Sequence, residues 1–474
     1  MTSTTTITMI DGVQVVAPDS LDMITPYVLQ EQEDWFEDEI KFLRCLLKPG
    51  QKIIDIGANY GVYALSMART VGPTGFVWAF EPASLTAKLL EEGIAVNGFS
   101  QITLDRSALS SSCGTAQLSL NENSELNALV RGKPSTNASE TVPLVTLDEC
   151  MKRYGWRDID FMKIDAEGEE ANILKGGERF FAELSPLVQY EVKAGADLHL
   201  ELVQYFASLG YDSYRLVPGL DLLVPFDAGS PPDGYLLNLF CCKQDRAERL
   251  AAHGFLQNSV PHVLNTGKER LKDVLKKIND HNAYDWRHTV AKLPYGAQLD
   301  MLWEQTMAGG NSAEVDEALF FYALSRDSSQ SSTVRFDALE AAFNLLSILC
   351  ERDPSYLRLA SLARVAQDYG ARSVAVNALI RLLEAIQRNN QIDLGEPFLA
   401  PGKQYEIVPH GDAIGNWVLA AVLEEFERLS SFSSFYTGAS ALQRLEAIRD
   451  LGFGSMEMVR RLRLLKKRFG LTST

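Results

Sequence analysis

The stretch Ile53-Ile54-Asp55-Ile56-Gly57-Ala58-Asn59-Tyr60-Gly61 constrains this chain more than any other. An apolar run that carries one acid, Asp55, reads as a buried strand. The Gly-x-x-x-Gly turn that follows opens a helix. Gly57 lets the backbone turn sharply and lets a ligand approach with no Cβ in the way, and Gly61 allows close contact at the helix start. The first N–H groups of that helix have no partner within the helix and suit a carboxylate.

Short apolar runs recur around this turn at Lys52–Ile56, Gly75–Phe80, Gln101–Asp105, Phe161–Ile164 and Leu187–Val192. They fit buried parallel strands. Helical patterns lie between them at Val62–Thr70, Ser84–Asn97, Ala171–Glu183 and Leu198–Leu209, after a first helix expected over Trp35–Leu47. This alternation predicts an α/β, doubly wound sheet with helices on both faces. Thr115–Asn121 and Glu140–Leu147 form an antiparallel excursion around a polar loop, 122–139. Ser213–Val217, Leu220–Val224 and Tyr235–Cys242 are expected to close the sheet with antiparallel members.

After Lys243 strand signals vanish. Ala338, Ala341, Ala342 and Leu345 share a helix face, as do Leu359, Leu362, Ala363 and Ala366, and Leu379, Leu382, Leu383 and Ile386. Asp353-Pro354 and Tyr369-Gly370 punctuate them. An all-α domain of helical hairpins, weakly repeat-like, is expected. The divisions are residues 1–48, an N-terminal segment and helix; 49–245, the α/β domain; 246–300, a helical connector; and 301–474, the helical domain.

Forty-five basic against 62 acidic residues give a net charge of −17, which argues against general nucleic-acid binding. The six cysteines form no C-x-x-C pair, so buried, reduced thiols are expected. Met1–Ile10 is Thr-rich without Lys or Arg, unlike a signal peptide, and no apolar stretch reaches about 18 residues. A cytoplasmic protein without a transmembrane segment is the expectation.

The second apolar run ends in Ala79-Phe80-Glu81-Pro82. An acid at the end of the second strand can accept hydrogen bonds from both hydroxyls of a ribose. NAD and S-adenosylmethionine both fit. The turn is not G-x-G-x-x-G, and Asp55 would repel a pyrophosphate while suiting an amino group and a sulfonium, which favours S-adenosylmethionine. A second constellation, Lys163-Ile164-Asp165-Ala166-Glu167-Gly168-Glu169-Glu170, follows another strand at its carboxyl end, where open α/β sheets bind ligands. Asp165 and Glu167 are read as functional there, and Glu170 as a solvated residue at a helix start.

The ordered set Asp55-Ile56-Gly57-Ala58-Asn59, Gly61, Phe80-Glu81-Pro82, Thr146-Leu147-Asp148 and Lys163-Ile164-Asp165 with Glu167-Gly168 and Glu170 resembles the FkbM-type methyltransferase family. Leu174-Lys175-Gly176-Gly177, Glu191 after an apolar strand, and Leu237-Asn238-Leu239-Phe240 extend the resemblance to about residues 30–245. It implies a class I methyltransferase (Rossmann-like) fold, S-adenosylmethionine as donor, and O-methylation of a hydroxyl on a saccharide, glycolipid or polyketide-like acceptor. The expected cofactor set is Asp55, Gly57, Asn59, Gly61, Glu81, Pro82, Ser107 and Asp165.

A hydroxyl needs a base as it is methylated. Asp165, Glu167 and Glu191 are the catalytic candidates. His199 is more in keeping with a packed histidine. The three acids together suit a divalent cation such as Mg²⁺, but direct base catalysis is the preferred reading and no metal ligand is assigned. Trp35 and Phe36 are expected over the cofactor edge or the sheet, and Trp286, Trp303 and Trp417 as helix anchors. The basic run Arg460 to Arg468 reads as a solvated helix face. In the enzyme reading the helical C-terminal domain would recruit the acceptor or a glycosyltransferase protein partner. The competing readings are a degenerate methyltransferase fold whose helical domain works as a scaffold in glycan assembly, and an NAD enzyme.

Overall fold

The computed structural model describes residues 3–130, 138–194, 197–198, 200–257, 287, 293–309, 313–389, 392 and 394–471 of the 474. The chain divides into two compact units. One comprises 1–216, 223–232 and 236–258; the other comprises 217–222, 233–235 and 259–474.

The first unit opens with an antiparallel hairpin of β1 (Thr4–Thr8) and β2 (Gln14–Pro18), which the Thr-rich sequence did not announce. Next come α1 (Ile24–Gln32) and α2 (Asp38–Leu46), so the expected helix over Trp35–Leu47 starts three residues late. The cause is Asp34, which takes the Arg44 guanidinium at 2.7 and 2.8 Å and the Trp35 N–H at 2.9 Å. That holds residues 34–37 as a bend.

Then β3 (Lys52–Ile56), α3 (Val62–Val71), β4 (Phe76–Phe80), α4 (Ser84–Asn97) and β5 (Ile102–Asp105) alternate as expected. The excursion is a small sheet of β6 (Ala108–Leu109), β7 (Gly114–Ser119), β8 (Ala128–Leu129) and β9 (Ser139–Val145), with β7 antiparallel to β9. After α5 (Leu147–Tyr154) and β10 (Phe161–Ile164), the helix expected over Ala171–Glu183 is two helices, α6 (Glu170–Lys175) and α7 (Glu178–Glu183). The break falls at Gly176, where a Cβ would meet the Ser110 carbonyl oxygen at 2.2 Å. Asp148 then caps α7, accepting from the N–H of Phe180 at 2.8 Å and of Arg179 at 3.2 Å.

β11 (Leu187–Glu191) is followed by a tiny hairpin of β12 (Lys193–Ala194) and β13 (Asp197–Leu198). Hence α8 runs over Glu201–Ser208 rather than from Leu198, and His199 lies outside the described residues. β14 (Asp212–Val217), β15 (Leu222–Pro225) and β16 (Asn238–Cys242) complete the sheet, and α9 (Gln244–Ala252) follows. Its order is β15-β14-β16-β11-β10-β3-β4-β5. The centre is parallel, β16 runs antiparallel to β11, and the order reverses between β3 and β10. Helix-covered strands of this kind bury apolar residues on both faces, as Ile53 and Ile54 do.

The second unit is helical: α10 (Gly296–Ala308), α11 (Ala313–Arg326), α12 (Ser332–Arg352), α13 (Tyr356–Tyr369), α14 (Arg372–Asn389), α15 (Ile414–Leu429), α16 (Ser434–Thr437), α17 (Leu442–Leu451) and α18 (Met456–Arg468). Successive helices from α11 to α15 pack on one another, and α17 packs on α18. Trp417 is buried and donates to the Val408 carbonyl at 2.8 Å, and Trp303 donates to Asp316 at 2.6 Å; Trp286 lies outside the described residues. The basic run is only partly a solvated face. Arg461 is buried and paired with Glu427 and Glu457, and Lys466 pairs with Glu446 at 2.7 Å. All six cysteines are free, but Cys45 and Cys113 are exposed, against the expectation that all are buried. Among the described residues no helix is long and apolar enough to cross a membrane.

Candidate active site

The strand order reverses where β3 and β10 separate, and a cavity opens beside their carboxyl ends. Asp55, Gly57, Asn59, Glu81, Pro82, Ser107 and Asp165 all line it. Gly61 does not. A Cβ there would strike Leu90 Cδ1 of α4 at 2.3 Å, so Gly61 serves helix packing.

The turn is stitched to its neighbours by backbone. Gly57 and Ala58 both donate to the Phe80 carbonyl at 3.0 Å, and Asn59 donates its N–H to Glu81 Oε2 at 2.9 Å. Glu81 Oε1 accepts from Ala83 N–H at 2.9 Å. The carboxylate is thereby fixed, and each oxygen retains a lone pair for a ribose hydroxyl. Gly57 has φ +80°, and a Cβ there would lie 1.7 Å from the Asp165 carbonyl oxygen. Only glycine lets the turn approach the end of β10 this closely.

Asp55 is fully buried, with both carboxylate oxygens lacking a hydrogen-bond partner. The Ala64 N–H in the first turn of α3 stabilises its charge without a hydrogen bond of full geometry. Burial, opposed by Lys163 and reinforced by Asp165, pushes its pKa up to about 6. An unmet buried carboxylate in the cavity wall fits the ammonium of an amino-acid moiety. With Glu81 fit for a ribose, these residues fit S-adenosylmethionine.

Asp165 and Glu167 line the cavity; Glu191, at the end of β11, is not part of that lining but lies beside the two acids. One carboxylate oxygen from each lies within 4.8 Å of the other two, a set that could hold a cation. Glu167 has φ +49°, an uncommon conformation for a side chain of its size. Burial and the neighbouring acids, Asp165 foremost, push Glu167 up to about 8 and Glu191 up to about 10. Burial pushes Glu81 up to about 7 against its two backbone N–H partners. Glu170 is not the solvated residue expected. It is buried, and Oε1 accepts from the N–H groups of Ala166 at 2.9 Å and Gly168 at 3.3 Å, which sets the shape of the turn that carries Glu167.

Several site residues had no role in the sequence reading. Lys163 lines the cavity from within β10. Glu37 and Tyr63 line it too and are hydrogen-bonded to each other. Trp35, which the sequence did place over the cofactor edge or the sheet, lines the same cavity next to the bend at 34–37. Opposite, Ser124 donates to Asn59 Oδ1 at 2.8 Å, and the start of α1 donates to the same loop, Ile24 N–H to Asn123 at 2.9 Å and Thr25 N–H to Glu125 at 3.1 Å. One signal was legible: a lysine inside the otherwise apolar run Phe161–Ile164 has to find an anion.

The sheet order, with β16 reversed beside β11, and a strand-end cavity lined by Asp55, Glu81 and Asp165 define a class I methyltransferase. Residues 55–213 match the family described as Methyltransferase FkbM domain. This chain therefore carries an FkbM methyltransferase domain over those residues, and the donor of that class is S-adenosylmethionine. The chain is similar to Methyltransferase sdnD of Sordaria araneosa, 29% identical over 193 residues, covering 34% of this chain and 74% of the relative. Among solved structures it is similar to a SAM-dependent O-methyltransferase from Thermotoga maritima (TM-score 0.25, 16% identity, 50% of this chain and 77% of that one). It is also similar to a SAM-dependent methyltransferase from Aquifex aeolicus (TM-score 0.27, 14% identity, 46% and 92%).

Proposed function

We propose that this chain transfers the methyl group of S-adenosylmethionine to a hydroxyl of a saccharide, glycolipid or similar acceptor. The observation that carries the reading is the juxtaposition of Asp55 and Glu81, fit for the two ends of the cofactor, with the carboxylates of Asp165 and Glu167 in one cavity. The first pair addresses the donor, and the second supplies acids beside the reacting end.

The donor supplies the electrophilic sulfonium methyl, and the protein orients both partners and handles the proton. Asp55 holds the ammonium of the donor and Glu81 its ribose. Ser107 and Pro82 also line the cavity. A carboxylate of the group Asp165, Glu167 and Glu191 takes the proton as the hydroxyl oxygen bonds to the methyl carbon. The acceptor class rests on the resemblance of the sequence to FkbM-type enzymes, whose acceptors vary widely and include saccharide, glycolipid and polyketide-like hydroxyls. The intact Asp55, Gly57, Glu81 and Asp165 argue against a degenerate scaffold.

The test is calorimetric titration of the full chain with S-adenosylhomocysteine, with NAD as control, followed by a saccharide and glycolipid panel read by S-adenosylhomocysteine release. Binding of S-adenosylhomocysteine but not NAD, and an acid- and base-stable methyl ether on the acceptor, are expected. No binding of either cofactor would overturn the reading in favour of a scaffold.

A further inference from the structure

Lys163 is the unusual residue of the parallel sheet. It sits within β10 and is only 4% exposed. Strand register places it between Asp55 on β3 and Gln189 on β11, so three polar side chains form a row across the middle of a buried sheet. A lysine in such a place has a large desolvation penalty and persists only when anions surround it.

Here they do. Lys163 Nζ lies 2.6 Å from Asp165 Oδ2 and 4.8 Å from the centre of the Tyr63 ring, and Tyr63 donates its hydroxyl to Glu37. Burial alone would lower the lysine pKa, but Asp165, Asp55 and Glu37 together raise it. Glu167 and Glu191 also feel its charge. Gln189 Nε2 faces Tyr63 at 3.5 Å rather than the lysine. Among the described residues that line the cavity, Lys163 is the one cation, and the other charged side chains are acids.

This matters for methyl transfer. The donor enters with a positive sulfur and leaves with a neutral one. A wall made of acids alone would stabilise the sulfonium in the ground state and oppose its consumption. We infer that Lys163 is a positioning residue, which fixes the Asp165 carboxylate through Oδ2 and offsets the acidic wall, so that the site does not hold S-adenosylmethionine much more tightly than S-adenosylhomocysteine. The inference rests on the proposed donor, and its test separates the two.

The dissociation constants of S-adenosylmethionine and S-adenosylhomocysteine would be measured by calorimetry for the full-length chain and for Lys163→Met and Lys163→Arg. Lys163→Met is expected to shift the ratio of the two constants about tenfold towards S-adenosylmethionine, the size of effect one unscreened charge has in a half-buried site. Lys163→Arg should restore the original ratio. A purely structural lysine would change both constants by the same factor, and an unchanged ratio in Lys163→Met overturns the inference. Should that variant fail to fold, Asp165→Asn tests it from the other side: with one acid fewer opposing Lys163, the ratio should shift the opposite way, and no shift overturns it. Failure of the unmodified chain to bind either compound defeats the donor assignment itself, and this inference with it.

Discussion

Asn59 donates its backbone N–H to Glu81 Oε2 at 2.9 Å, which ties the turn after one strand to the acid that ends the next. Glu81 is thus part of the turn's architecture as well as the proposed partner of the ribose. Glu81→Ala should weaken S-adenosylhomocysteine binding about 10- to 100-fold, the range for losing hydrogen bonds to a charged group. Glu81→Gln should lose less, because its amide oxygen can still accept. Calorimetry of both variants measures this.

The same carboxylate gives cofactor binding a pH dependence. Burial raises Glu81 from 4.5 to about 7 in the ligand-free site. A carboxylate that accepts from ribose hydroxyls binds best when ionised, so binding releases a proton. Affinity should fall as the pH drops below about 7 and level off above it. Titrations from pH 5.5 to 8.5 would check this, with Glu81→Gln expected to flatten the profile.

Stability of the ligand-free protein should run the other way from the common rule for paired acids. Asp55 rises from 3.8 to about 6 and Glu81 from 4.5 to about 7, so between those limits the folded chain holds more protons than the unfolded one. Unfolding free energy therefore decreases as the pH rises through that window. Thermal melts should show the methyltransferase unit less stable at pH 8 than at pH 6. S-adenosylhomocysteine should recover more stability at pH 8, where its partners are ionised.

Glu167→Gln and Glu191→Gln separate the candidate bases. Each should leave S-adenosylhomocysteine affinity within about threefold, while the variant that removes the base should cut turnover by about 10²–10⁴-fold. The pH profile assigns the role independently. Turnover limited by Glu167 should rise towards about 8, and turnover limited by Glu191 towards about 10. If both variants keep full turnover, the base lies elsewhere. Loss of turnover in EDTA, restored by Mg²⁺, would assign the three acids to a cation instead.

Gly57→Ala places a methyl group 1.7 Å from the Asp165 carbonyl oxygen, at a φ of +80°. The turn has to move away from β10. A loss of at least about 2 kcal/mol of stability, with loss of S-adenosylhomocysteine binding, is expected from denaturant titration and calorimetry.

The central strands and the helices α3 and α4 were legible because each is a short, strongly patterned segment bounded by Gly, Pro or Asp. Asp55, Gly57 and Glu81 were legible because strand-end positions confine what such residues can do. Local pattern could not reveal the long-range pairs. The Asp34–Arg44 ion pair, which shortens α2, joins residues ten apart. The capping of α7 by Asp148 joins residues more than thirty apart. The pairing of Glu37 with Tyr63 spans two helices. The β1–β2 hairpin escaped because β1 carries a single large apolar residue, Ile7, among threonines and so reads as a polar tail.

Phe42 and Phe240 meet edge-on with ring centroids 5.5 Å apart, in a core that also takes Val13, Val15, Leu29 and Leu256. All six lie outside the 55–213 range that defines the family resemblance. Ancestry and autonomy therefore have different borders in this chain. A fragment trimmed to the shared range would keep the residues proposed to read the donor and leave a hydrophobic face of the sheet bare, prone to self-association before it ever met a ligand.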